Sequence, residues 1–246
     1  MNEDLDNIKI REVKDINFRN LFPDLKPTDV TLNCITRRKV IKTIDEQINM
    51  CVSGLKLIAD NLKGLQTEDS GFSKIIIAIH SFFFFTLQTT ADCWVAFKYF
   101  VLAKNDYDRS YMRGKLKVIL NEGFKKLYGF SSKGKEESEW AKLSALLSQL
   151  QFPRKIYLQY QQLTNILERQ SQISSWWKEE RNIETHFDSF KLYESRQEVI
   201  NESKVMIDAS QLLNALDAVG QFADNLNICI VNYLLFRYKR GELRIE

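Results

Sequence analysis

Ile41, Ile44, Ile48, Cys51, Leu55, Ile58 and Leu62 recur at alternating steps of three and four residues. Leu212, Leu216, Val219, Ala223, Leu226, Ile230 and Leu234 do the same further along the chain. Such steps lay apolar side chains along one face of an α-helix, whereas a half-buried strand needs alternation at every second residue. Only 9 Gly and 3 Pro occur in 246 residues, so little interrupts these stripes. No segment shows sustained period-two alternation between turn signals. The chain is therefore expected to be all-α, a bundle of about six to seven helices forming a single domain over residues 1–246. Residues 131–170 are a candidate helical insertion or subdomain. The two stripes would serve a bundle core or a dimer seam equally well.

The first helix is expected to begin near Thr28–Asp29, plausible caps after Pro27, and to end before GLQTEDSGFS. A second, strongly apolar helix is expected from about Ser73 to Lys104, and a third from about Asp106 to Tyr128, stopped by Gly129. GFSSKGKEES reads as the most loop-like segment of the chain. Trp140, Leu143, Leu147 and Leu150 predict a short helix ending before Pro153, and Ile156, Tyr160, Leu163 and Leu167 predict another. Ser174 or Ser175 could cap a sixth helix, with the long 212–234 stripe forming the last.

Apolar content of 44% with 12% aromatics excludes a disordered chain, and a net charge of +3 is too small for a general nucleic-acid or membrane surface. Cys34, Cys51, Cys93 and Cys229 are far apart and match no metal-ligand spacing, so they are expected to be reduced thiols in a cytoplasmic protein without a metal or other cofactor. His80, Gln88 and Asp92 interrupt the apolar stretch 74–104, so a core helix is expected there rather than a membrane span.

One segment carries chemistry. In WWKEERNIETHFDSF, residues 176–190, Trp176, Ile183, Phe187 and Phe190 define an apolar stripe. At 100° per residue His186 falls about 60° to one side of it. Asn182 lies one turn earlier on that same side, while Arg181 must curl its long side chain back to reach them. Metal-free RNA cleavage needs a group to take the 2′-hydroxyl proton, one to protonate the leaving 5′-oxygen, and a cation for the phosphoryl oxygens. Histidine transfers protons near neutral pH, arginine offers a permanently charged fork to phosphate, and asparagine can hold an imidazole tautomer. One chain supplies one such set; two chains about a two-fold axis would supply both acid and base.

Arg181, Asn182 and His186, spaced as RNIETH in a helical chain, resemble the HEPN superfamily, whose ribonuclease members carry an Arg-x4–6-His motif with a polar residue directly after the Arg. The resemblance implies a HEPN-like bundle and a homodimer whose paired helices form one metal-independent endoribonuclease site. Catalysis would fall to Arg181 and His186 with support from Asn182. RNA is the implied substrate, in a toxin–antitoxin, phage-defence or RNA-processing setting, with an antitoxin or nucleotidyltransferase as the implied partner. Members that have lost catalysis act as helical interaction or nucleotide-binding modules.

Other residues have plainer readings. His80 is expected to be a hydrogen-bonded core histidine. Asp92, an acid in the most apolar helix, is expected to pair with Arg109 or Arg113 of the next one. Arg109, Arg113, Lys115, Lys117, Lys125 and Lys126 beside Tyr107 and Tyr111 read as a solvated face, with an RNA-tracking surface as the alternative. Trp176 and Trp177 read as packing, and Glu179 and Glu180 as surface partners of nearby cations.

Overall fold

The computed structural model describes residues 11–12, 32–65, 71–148, 152–174, 191, 193–194, 196 and 202–239. They form an all-α helical bundle, and no strand occurs among them. The helices are α1 (Cys34–Leu65), α2 (Gly71–Leu102), α3 (Asp106–Leu127), α4 (Ser132–Glu136), α5 (Glu139–Leu147), α6 (Arg154–Ser174) and α7 (Glu202–Lys239). The expectation of helices throughout holds, because the three-and-four stripes and the scarcity of breakers leave the chain no other way to bury its apolar side chains.

The hub is α2. It packs on α1, α3 and α7, and Ile79, Phe82, Phe97, Phe100 and Val101 are buried. Ser73–Leu102 is long and apolar enough to cross a membrane by length and composition alone. Helices α1, α3, α5 and α7 supply apolar contacts to it here. The approach of α3 is close: a Cβ on Gly123 of α3 would lie 2.4 Å from Cγ2 of Thr89 on α2, so glycine sets the spacing of that crossing.

Both apolar stripes turn inward. Ile44, Cys51 and Ile58 face the core from α1, and Leu216, Val219, Ala223, Leu226 and Ile230 face it from α7. Trp140 ties α5 to the rest. Its indole stacks on Tyr160 of α6 at 4.6 Å and meets Phe222 of α7 and Phe82 of α2, while Nε1 donates to Thr164 Oγ1 at 3.0 Å. Trp140, Leu143, Leu147, Ile156, Leu163 and Leu167 thereby belong to the same continuous core as α2 and α7.

Three boundaries differ from the sequence reading, one of them that of α7, which begins at Glu202, ten residues ahead of the 212–234 stripe. Leu32 and Asn33 are not helical, and α1 starts at Cys34. Asn33 Oδ1 accepts from the Ile35 and Thr36 amides at 3.1 and 2.9 Å, so the cap lies at Asn33; Thr28 and Asp29 are outside the described residues. GFSSKGKEES contains the five-residue α4, too short to show a period, opened by Ser131 Oγ accepting from the Gly134 amide. All four cysteines are free, and Cys51, Cys93 and Cys229 are buried. Burial and the nearby Asp217 carboxyl push the Cys51 thiol up to about 11, and burial pushes Cys229 up to about 11. These two are protonated packing groups rather than nucleophiles at neutral pH.

Candidate functional site

Arg181, Asn182 and His186 lie outside the described residues, as do Trp176, Trp177, Glu179 and Glu180. The described residues that next follow the motif in the chain make unusually specific contacts. Two of them, Arg196 and Glu202, are 5% and 1% exposed, and charged side chains are rarely buried so deeply without partners.

Glu202 occupies the first turn of α7, where the helix dipole favours a carboxylate. Arg37 of α1 donates from Nη2 to Oε1 at 3.0 Å and to Oε2 at 2.9 Å. Arg109 of α3 brings Nε to 2.8 Å from Oε1, as an ion pair rather than an aligned hydrogen bond. The amide of Leu32 donates to Oε2 at 3.1 Å. Arg37 also donates from Nη1 to the Val101 carbonyl at the end of α2, and Arg109 pairs with Asp106 at 2.5 Å. One carboxylate thus joins the ends of four helices.

Arg196 forms a second anchor on the same part of α3. Its Nη1 donates to the Ser110 carbonyl at 2.6 Å, and its guanidinium lies 5.3 Å from the centre of the Tyr111 ring, which Lys115 also approaches at 5.1 Å. Arg196 and Glu202 are therefore both held against the first turns of α3. Chemically these are fasteners: the charges of Arg37 and Arg109 are matched internally by Glu202 and Asp106.

The pairing expected for Asp92 does not form. Asp92 is exposed and accepts from Gln88 Nε2 one turn earlier at 2.9 Å, while Arg109 is committed to Asp106 and Glu202. The physical reason is position. Asp92 falls on the strip of α2, with Gln88, Val95 and Tyr99, that no other described helix covers, so solvent supplies its stabilisation. His80 is the core histidine expected: it is 6% exposed, with Nε2 2.7 Å from Asn227 Oδ1, so Nε2 carries the proton. On α3, Lys115 lies over Tyr111, and Lys126 lies 4.7 Å from the Phe85 ring centre on α2, stems along apolar surface in the manner of a solvated face.

A groove of about 510 Å³ runs beside α5 and α6, lined by Tyr128, Lys135, Trp140, Ala141, Tyr160 and Thr164 among others. At one end Glu168 accepts from Lys135 Nζ at 2.8 and 2.6 Å and from the Tyr128 hydroxyl at 2.6 Å. The bond from Lys135, then that from Tyr128, hold the Glu168 carboxyl below its ordinary 4.5; burial and the Glu168 bond raise Tyr128 well above the usual tyrosine range. A depressed carboxyl contributes stability in full above its unfolded pKa and loses it as pH falls through the lower folded value. Glu168→Gln is therefore expected to lower stability at pH 7 and to flatten the loss below pH 4.5, as read from urea midpoints across pH.

Among the described residues no group of His, Cys, Asp and Glu could hold a metal ion. No protein-family model, curated protein or solved structure matches this chain. Sequence reasoning missed Glu202, Arg37 and Arg196. An acid in a helix's first turn is ordinary, and no local pattern connects positions 165 residues apart.

Proposed function

We propose that this chain is a HEPN-like, metal-independent endoribonuclease that works as a homodimer. The observation that carries the reading is Arg181 followed directly by Asn182 and, four residues later, by His186 in a chain whose described residues are all helical or connecting. In this reading His186 transfers the proton of the attacking 2′-hydroxyl or of the leaving 5′-oxygen, Arg181 stabilises the phosphoryl oxygens, and Asn182 orients the imidazole. A second copy completes the acid–base pair.

The test is cleavage of single-stranded RNA by purified protein in EDTA. The expected products end in 2′,3′-cyclic phosphate and 5′-hydroxyl, and Arg181→Ala and His186→Ala are each expected to abolish them while leaving the helical circular dichroism unchanged. Cleavage that persists in both variants overturns the reading. A second reading, a helical interaction module without catalysis, is favoured by the internal neutralisation of Arg37 and Arg109. Absence of cleavage by the wild-type protein selects it.

A further inference from the structure

Asn225 sits in the apolar face of α7 between Ala223 and Leu226, and it is 1% exposed. A primary amide at such a position costs free energy unless its donors and acceptor are paired. Its partner is a piece of backbone distant in sequence. The Arg11 amide donates to Asn225 Oδ1 at 3.2 Å, and Asn225 Nδ2 donates to the Arg11 carbonyl at 2.9 Å. Gln159 of α6, 5% exposed, donates from Nε2 to that same carbonyl at 2.8 Å and accepts from Asn225 Nδ2 at 3.1 Å. Two buried amides from two helices thus hold both main-chain groups of one residue.

The N–H and C=O of a single residue point the same way only in extended backbone, as in the bonded pairs of an antiparallel sheet. Asn225 therefore reads Arg11 as a strand residue, using side-chain atoms where a sheet would use a neighbouring strand. The identity of the residue enters weakly: the Arg11 side chain is 80% exposed, and its Nη1 lies 3.6 Å from Asp224, itself 40% exposed. Main-chain bonds that any residue except proline could make, with one adjacent acid, are the chemistry by which receptors take extended peptides.

We propose that Asn225, Gln159 and Asp224 form a peptide-recognition seat between α6 and α7. Arg11 occupies it in cis, and an extended peptide with a basic residue at the seated position can take its place. The proposal is independent of the RNIETH segment, so the failure of one leaves the other standing.

The experiment uses the full-length chain and a fluorescein-labelled peptide of residues 6–16, DNIKIREVKDI. Arg11→Pro removes the seated N–H and releases the internal occupant. The labelled peptide is expected to bind this variant about tenfold or more tighter than wild type, where the tethered segment competes at high effective concentration. Adding Asn225→Ala to Arg11→Pro is expected to abolish the gain. An Arg11→Pro protein that melts like wild type yet binds no peptide overturns the proposal, as does equal binding with and without Asn225→Ala. If Arg11→Pro does not fold, trypsin cleavage after Arg11, followed by mass spectrometry, decides. Cleavage about tenfold or more slower in the wild-type chain than in the free peptide supports a gripped main chain, and equal rates refute it.

Discussion

Replacing Glu202 with Ala is expected to lower folding stability by about 3 kcal/mol and the melting midpoint by about 6–12 °C. The cost comes from what is left behind. Arg37 and Arg109 lose the carboxylate that neutralises them, and their side chains are only 21% and 15% exposed. That residual exposure allows some rehydration, so the effect falls at the lower end of the range for breaking a buried ion pair. The Leu32 amide, 3.1 Å from Oε2, loses its acceptor as well. Glu202→Gln keeps the volume but sets an amide against two guanidinium groups, so it should destabilise nearly as much; packing alone would leave it close to wild type. Because the three charges form one network, removing Arg37 and Arg109 together with Glu202 should cost less than the single substitutions summed. Urea denaturation followed by circular dichroism measures each, and a loss under about 1 kcal/mol for Glu202→Ala would contradict a buried, coupled cluster.

Gly129→Ala is expected to cost at least about 2 kcal/mol, for two independent reasons. Gly129 follows the end of α3 with φ of 79°, a conformation that strains any residue with a Cβ. An added Cβ would also lie 2.3 Å from the carbonyl carbon of Gly134 and 2.6 Å from the nitrogen of Lys135, both backbone atoms of α4. Backbone cannot rotate aside, so α4 would have to move, and Lys135 would move away from Glu168 with it. Gly134→Ala is the control. Its Cβ would meet Ser131 Oγ at 3.2 Å and only then the Gly129 Cα at 3.7 Å, so a small shift of one side-chain atom relieves the contact. Calorimetry on the pair should show a large drop for Gly129→Ala and a small one for Gly134→Ala; equal drops would mean that overall loosening of the corner, rather than the conformation of residue 129, is responsible.

How much was legible beforehand depended on how local the signal was. The stop at Gly129 was readable because glycine marks a left-handed residue after a helix, and α3 does end at Leu127 with Tyr128 as its cap. α4 was not readable, since five residues held by a serine cap and a glycine contact carry no periodicity. His80 was placed correctly because a histidine among apolar neighbours must find a partner, although nothing local named Asn227. Asp92 was misassigned because periodicity cannot say which strip of a nearly all-apolar helix stays uncovered. RNIETH was legible as a motif, and its residues lie outside the described part of the chain. Asn225 and Gln159 gave no sequence signal, since isolated amides read as surface residues until a backbone is found against them.

Residue order dictates that the described chain is helical, where most of its helices end, and which faces are apolar. Each of those follows from residues within about four positions of one another. Tertiary structure alone decided that the two long stripes fill this chain's own core, because a stripe specifies burial without specifying its partner. It alone decided which arginines are neutralised by Glu202 and which amides hold Arg11. Contacts between positions 37 and 202, or 11 and 225, depend on how helices cross, and crossing is set by side-chain packing summed over the whole bundle rather than by any local run of residues.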